Sequence, residues 1–133
     1  MEKYIQVLKN LNTVRAWAFH SYDGLDEISI FDKTKVYELK NNNITSFEIN
    51  PLDIIKKKYD FKEIVGGDAK HNAKKILEVF NGKNGALLDI ISLNVAAGLI
   101  VLDQFDNIKD SFLFSKKYII SGKVLNYYNT LKE

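Results

Sequence analysis

The sequence contains no cysteine, so disulfide bonds, thiolate metal sites and cysteine nucleophiles are all excluded. Arginine is nearly absent as well, because Arg15 is the only one and lysine supplies almost all of the positive charge. The formal net charge of +2 is too balanced to indicate a nucleic-acid partner. The N-terminal residues lack the apolar run of a signal peptide, which predicts a cytoplasmic protein.

The longest apolar segment, residues 85–102, indicates a buried helix. Its 18 residues reach only the lower limit for a membrane span. Asp89, Ser92 and Asn94 lie within it, and an aspartate at the centre of a membrane helix costs roughly 2.5–3.5 kcal/mol. We therefore expect no membrane partner and a helix inside the core of one domain, for which 133 residues are sufficient.

Hydrophobic periodicity predicts an α/β fold, with a partial, mainly parallel sheet and a β-hairpin covered by C-terminal helices. Residues 14–20 have the apolar pattern of a parallel strand that is buried on both faces. The other predicted elements are a helix over 2–12, hairpin strands over 34–39 and 44–49 joined at 41–43, an irregular segment over 52–65, a helix over 69–80 and one terminal helix from Asp106 onward, with Gly122 inside it as a bend or close contact.

Residues 66–68, Gly-Gly-Asp, look like a phosphate-binding glycine loop, but their position favours a tight turn. Apolar residues at helical intervals follow at once, so Asp68 is predicted to be the N-cap of that helix. His71 lies in its first turn and has no second histidine or cysteine nearby, which argues for an exposed side chain rather than a metal ligand. Lys56, Lys57 and Lys58 form a charge run that is typical of a solvated surface, with phosphate contact as the alternative.

The candidate chemistry lies in residues 20–29, His-Ser-Tyr-Asp-Gly-Leu-Asp-Glu-Ile-Ser, which we call the acidic loop. An apolar strand that ends in an acidic loop containing glycine is how α/β sheets present ligand groups at their carboxyl edge. The adjacent carboxylates of Asp26 and Glu27 are hard oxygen ligands, suited to a Mg²⁺ ion that also holds a substrate phosphate. The alternative is an exposed acidic turn that caps the next element.

The acidic loop resembles that of the anthranilate phosphoribosyltransferases, in which an HG-x-x-G-x-DE loop follows a central strand. The matching residues are His20, Gly24, Asp26 and Glu27, and Ser21 stands where that family usually has glycine. Three further pieces match in the same order, at residues 66–73, 89–97 and 121–123. The resemblance implies that Asp26 and Glu27 bind the Mg²⁺ that accompanies phosphoribosyl pyrophosphate, and that His20 and Gly24 bind substrate.

This resemblance, within glycosyltransferase family 3 of the nucleoside phosphorylase-like superfamily, covers only the C-terminal portion of such an enzyme. We expect residues 1–133 to be a single truncated α/β domain that lacks the N-terminal helical domain and the pyrophosphate loop. The implied reaction is transfer of phosphoribosyl to anthranilate in tryptophan biosynthesis. We expect this chain to be inactive unless a separate N-terminal chain supplies the missing parts.

Two other interpretations stay open. The chain could be a non-catalytic remnant or a repurposed self-associating domain, an interpretation that Ser21 favours, together with Leu88 in place of an expected basic residue. A nucleic-acid-binding relative has little support, given the balanced charge. Since a piece of a larger sheet leaves one edge unpaired, we expect a homo-oligomer.

Overall fold

The computed structural model describes residues 1–131 and contains a three-stranded sheet with helices on both faces. In chain order the elements are α1 (Glu2–Asn10), β1 (Arg15–Ser21), β2 (Thr34–Lys40), β3 (Asn43–Ile49), two short 3₁₀ turns (Pro51–Asp53 and Phe61–Glu63), α2 (Ala69–Phe80), α3 (Ala86–Val101), α4 (Ile108–Ile120) and α5 (Lys123–Thr130). The α/β class and the irregular segment before α2 agree with the prediction.

The predicted hairpin is confirmed. Strands β2 and β3 pair antiparallel from Thr34 opposite Ile49 to Lys40 opposite Asn43. The two residues between them, Asn41 and Asn42, have φ of 50° and 61°. Asparagine tolerates this left-handed region better than other non-glycine residues, and two such residues in a row form the turn that suits the twist of a hairpin.

The prediction of a mainly parallel sheet is wrong. Strand β1 pairs antiparallel with β2, from Arg15 opposite Lys40 to Ser21 opposite Thr34, so all three strands alternate in direction. The two apolar faces of β1 are explained by its packing and not by a parallel direction. Trp17 and Phe19 pack in the main core, which includes residues of α3, whereas Ala18 packs with Ile5 of α1. Burial on both faces therefore reports helices on both sides of the sheet, not the direction of the strand.

Helix α3 is the central helix of the domain, as its apolar sequence predicts. Leu93, Ala96 and Ala97 contribute to the main core, and Leu88 joins a second cluster with Val79 and Ile119. With 16 residues, α3 is the longest helix of the described chain. No helix among residues 1–131 combines the length and the apolarity that crossing a bilayer requires.

The helix boundaries follow local capping chemistry. The Asp68 carboxylate accepts a hydrogen bond from the His71 N–H at 2.7 Å, so Asp68 is the predicted N-cap of α2, and His71 is exposed as predicted. Gly82, with φ of 83°, follows the end of the same helix. The single terminal helix, in contrast, is two helices. Gly122 has φ of 78°, a left-handed conformation that ends the helical path between α4 and α5.

A buried ion pair joins α3 to α4. Asp89 is only 2% exposed, and its two carboxylate oxygens have different partners. Lys116 donates to Oδ1 at 2.5 Å, and the Tyr59 hydroxyl donates to Oδ2 at 2.6 Å. Burial, together with the hydrogen bond to Asp89, raises the pKa of the Tyr59 phenol, so it stays a donor at neutral pH. These contacts fix the irregular segment before α2 to the helical layer.

We predict that Lys116→Met lowers the free energy of unfolding by about 3 kcal/mol, because it leaves the buried Asp89 charge without its cationic partner. Lys117→Met is the matched control, since Lys117 is exposed on the same helix. Urea-induced unfolding followed by Trp17 fluorescence measures both variants. Equal midpoints for the two variants would contradict the role assigned to this pair.

Candidate functional site

The acidic loop leaves β1 through a tight turn. The Ser21 N–H donates to the Leu25 carbonyl at 3.1 Å, and the Gly24 N–H donates to the Ser21 carbonyl at 3.2 Å. Gly24 has φ of 92° at this turn, and a Cβ at this position would meet nothing within 4 Å. Backbone conformation, rather than lack of space, therefore requires glycine here.

The four predicted site residues lie along this one loop. His20 is the second-last residue of β1, exposed, with its ring edge-on to Tyr22 at 5.9 Å between centroids. Asp26 and Glu27 are exposed beyond Gly24. In the part of the chain that the structure describes, neither carboxylate makes a hydrogen bond or an ion pair with another residue. Both are thus free to meet a ligand from solvent.

The electrostatics of the loop favour a cation beside Glu27. Partial desolvation, and then the negative charge of Asp26, raise the pKa of the Glu27 carboxyl. A bound cation would relieve both effects. Among residues 1–131 there is no group of three or more acidic or histidine side chains that could form a complete metal cage. The donor set therefore fits a Mg²⁺ ion that takes its other ligands from water and substrate phosphate, as Mg²⁺ usually does.

Asp23 organises the entry to the loop, a role that the sequence analysis did not assign. Its carboxylate accepts hydrogen bonds from the Leu25 N–H at 3.1 Å and from the Ser29 hydroxyl. Ser29 Oγ in turn accepts from the Phe31 N–H at 2.9 Å. An aspartate that bonds the backbone two residues later is a common turn device before glycine, so the Asp-Gly pair was the available signal.

Asn94 of α3 holds the exit of the loop. Its Oδ1 accepts from the Ile28 N–H at 2.9 Å, and its Nδ2 donates to the Ile28 carbonyl at 3.0 Å. The same Nδ2 donates to the Ile90 carbonyl of its own helix, also at 3.0 Å. The sequence offers no local signal for this contact, because the partners lie 66 residues apart.

The geometry of residues 66–72 confirms a structural turn before α2. The Asn72 amide accepts from the Gly67 N–H at 2.8 Å and donates to the Gly67 carbonyl at 3.1 Å. A Cβ on Gly66 would lie 2.9 Å from Asn72 Oδ1, so a larger residue there would displace the Asn72 side chain. The backbone groups of Gly67 are occupied by Asn72, which leaves them unsuited to holding a phosphate.

Comparison with protein families identifies the domain. The model of the glycosyl transferase family, a/b domain, matches residues 1–125, nearly the whole chain. The chain belongs to this family. Ser21 and Leu88, which the sequence analysis contrasted with the anthranilate phosphoribosyltransferases, are both buried. Ser21 directs its hydroxyl to the Lys33 carbonyl at 3.2 Å, and Leu88 is fully buried in the cluster with Val79 and Ile119.

The similar curated proteins are anthranilate phosphoribosyltransferases. That of Pelagibacter ubique is 38% identical over 130 residues, 98% of this chain, and that of Petrotoga mobilis is 39% identical over 120 residues, 90% of this chain. The chain spans only 38% and 35% of the length of these two relatives. This family member therefore corresponds to a portion of each relative.

Solved structures share the fold. Anthranilate phosphoribosyltransferase from Thermus thermophilus is similar with a TM-score of 0.77 at 21% identity, over 88% of this chain and 34% of that one. A Saccharomyces cerevisiae variant of the enzyme with Mg bound has a TM-score of 0.81 at 21% identity, over 94% of this chain and 37% of that one. At this identity the similarity establishes the fold alone.

We predict that Asp23 stabilises the domain above its own pKa and not below it. Partial desolvation would raise the pKa of the Asp23 carboxyl, but the hydrogen bonds from the Ser29 hydroxyl and the Leu25 N–H outweigh it, and the pKa is lowered. The folded protein thus binds fewer protons here than the unfolded chain, so this stability is present above about pH 4 and is lost as pH falls through the lowered pKa.

Asp23→Asn, which removes this charge, is expected to lower the free energy of unfolding by about 1 kcal/mol at pH 7. The difference from the parent protein should shrink as the pH falls toward about 2, as both forms become uncharged at this position. Urea titrations at a series of pH values measure it, with Asp53→Asn, at an exposed carboxylate, as control. A difference that stays constant with pH would refute this account.

Proposed function

We propose that the chain is the C-terminal portion of an anthranilate phosphoribosyltransferase that works in the cytoplasm in tryptophan biosynthesis. The observation that carries this proposal is the exposed Asp26–Glu27 pair at the end of β1. It stands in a chain that is 38% identical over 130 residues to a relative of that name. One similar Saccharomyces cerevisiae structure is described as a complex with PRPP and Mg, ligands that suit this pair of carboxylates.

In this proposal Asp26 and Glu27 hold Mg²⁺, which neutralises the charge of the departing pyrophosphate when it is bound. The reaction itself demands little acid–base chemistry, because the amine of anthranilate displaces pyrophosphate from the ribose carbon. Positioning is the main contribution of the protein. Gly24 lets the backbone come close to the substrate, since it has no side chain and the space that a Cβ would occupy is open. His20, exposed near the end of β1, would contact substrate from the strand.

Most of the pocket would come from the rest of the enzyme. Two carboxylates bind Mg²⁺ weakly without substrate phosphates, and the pyrophosphate loop and anthranilate pocket of the family lie in the portion that this chain does not match. We infer that residues 1–133 form one truncated domain that acts together with the remaining part, either as a separate chain or as a continuation of the same polypeptide.

The free edge of β1 is the site where we place that remaining part. Within residues 1–131, β1 pairs with β2 alone, so its other edge is unpaired. A groove of about 520 Å³ lies between β1 and residues Ala97 and Gly98 of α3. A glycine within a helix costs about 1 kcal/mol relative to alanine, yet Gly98 is exposed with nothing within 4 Å. The lack of a side chain at this glycine would allow a strand of the remaining part to approach α3 closely.

A chimera tests the catalytic proposal. Residues 1–130 of this chain replace the matching segment of the Pelagibacter ubique relative, and the loss of anthranilate fluorescence is followed with phosphoribosyl pyrophosphate and Mg²⁺. We predict an active chimera, and a loss of at least about 100-fold in kcat/KM for Asp26→Ala or Glu27→Ala, because the metal loses one of two protein ligands.

Asp53→Ala is the matched control for these variants, since it removes an exposed carboxylate outside the acidic loop. The isolated chain serves as the second control and should give a flat fluorescence trace. Activity that survives both loop substitutions would contradict the assigned metal ligands. An inactive but folded chimera would count against the catalytic proposal and in favour of a non-catalytic remnant.

Gly98→Arg tests the docking site in the same chimera. Arginine in place of glycine favours an exposed helix, so the isolated chain should become slightly more stable. In the chimera the side chain would block the groove, and we predict a lower melting temperature together with reduced activity. Gly98→Ala is the matched control. Equal stability of the Gly98→Arg and Gly98→Ala chimeras would exclude this groove as the docking site.

The second candidate function, a repurposed self-associating domain, rests on the same unpaired edge. An unpaired edge strand without a bulge or proline tends to pair with a strand of another chain. In a solution of the isolated chain, that strand would come from a second copy. Light scattering of the isolated chain at micromolar concentration distinguishes the interpretations. A stable dimer that Gly98→Arg dissociates, together with an inactive chimera, would favour self-association.

A further inference from the structure

The positions of Asp26 and Glu27 depend on the backbone that carries them. In residues 1–131 neither side chain has a hydrogen bond or ion pair that would hold it in place. Ile28 is the next residue, and its side chain is fully buried in the main core. The conformation of the backbone at Ile28 therefore limits the positions from which the two preceding side chains extend.

The Asn94 side chain fixes both peptide groups of Ile28. Its amide pairs with the N–H and the carbonyl of this one residue, at 2.9 and 3.0 Å, much as a neighbouring strand would. The further bond from Nδ2 to Ile90 orients the amide within α3. Leucine of similar size has no polar atoms, and aspartate cannot donate to a carbonyl. Among these side chains, only asparagine makes all three bonds.

The loop is thus held at both ends. At its entry Asp23 accepts from the Leu25 N–H at 3.1 Å and from the Ser29 hydroxyl, and at its exit Asn94 pairs with Ile28. Asp26 and Glu27 lie between these two contacts. A loop held this way keeps the backbone that carries the two carboxylates in one arrangement before any ligand arrives, which lowers the entropy lost on binding.

We propose that Asn94 is a positioning residue for the Asp26–Glu27 pair, and that from its place on α3 it sets the affinity of the acidic loop for divalent metal. This inference rests on the proposed function, which makes the pair the metal ligands. Asn94 itself touches neither metal nor substrate in this proposal. Its role is transmitted through the backbone of Ile28.

The simpler interpretation is that Asn94 only satisfies two buried backbone groups, as any fold must. The chain contains its own comparison. Asn72 pairs with the N–H and carbonyl of Gly67 at 2.8 and 3.1 Å, the same device on a loop that carries no predicted ligand. Asn72→Ala therefore removes an equivalent pair of bonds and serves as the matched control.

The test uses the ¹⁵N-labelled full chain and Mn²⁺ as a paramagnetic substitute for Mg²⁺, with relaxation of each backbone amide as the readout. In the parent protein, enhancement should centre on residues 25–28. Asn94→Ala should weaken the apparent Mn²⁺ affinity about tenfold, as changes in the groups that support metal ligands commonly do. Asn72→Ala should leave the affinity unchanged.

The asparagine variants are made in a stabilised parent protein, so that a loss of Mn²⁺ affinity does not reflect unfolding. Gly98→Ala adds a methyl group in open space on α3 and improves its helix propensity, so both asparagine variants are made in it. Asn94→Ser is a second variant, because serine can still bond the Ile90 carbonyl but is too short to pair with Ile28.

Each outcome has a separate meaning. Equal Mn²⁺ affinity in parent and Asn94 variants would overturn the positioning role and leave the proposed function standing. Equal weakening by Asn94→Ala and Asn72→Ala would show a general loss of rigidity and would also overturn it. No enhancement at the loop of the parent protein would refute the metal role of Asp26 and Glu27, and the inference with it.

Discussion

Nine of the 16 residues of helix α3 are buried, so the polar groups among them must find partners inside the fold. Asp89 meets Lys116 and Tyr59, and Ser92 donates to the Leu88 carbonyl at 2.6 Å. Asn94 reaches across to Ile28. The bonds of Asp89 and Asn94 fix different parts of the chain to the same helix, whereas that of Ser92 stays within α3. The position of the acidic loop is therefore a consequence of how the core is packed.

The parts of the fold that could be predicted are those that local chemistry determines. The turn at Asn41 and Asn42, the cap at Asp68 and the end of α2 at Gly82 each depend on a few adjacent residues. The direction of β1 could not be predicted, because burial on both faces is compatible with either direction once helices cover both sides. Gly122 was recognised as a special position, but whether a glycine bends a helix or ends it depends on its φ angle.

The candidate site likewise has residues that the sequence could reveal and one that it could not. Four residues of the acidic loop are close enough in sequence to be recognised as a pattern: His20, Gly24, Asp26 and Glu27. In the structure they are exposed along this loop. Their metal and substrate roles stay predictions. Asn94 could not be recognised as part of this loop, because its contact spans 66 residues and exists only after α3 packs on the sheet. Residues that support a site from a distant element leave no periodic or spacing signal.

The groove beside β1 and the acidic loop meet at one residue. Asn94 lines the groove with Gly98 and Ala97, and the same side chain holds Ile28. A strand that adds to β1 would thus cover the amide that positions the loop and shield its hydrogen bonds from water, which strengthens them. Under the proposed function, completion of the sheet and ordering of the Asp26–Glu27 pair would then be physically linked through Asn94, in a domain that spans 38% of a relative's length.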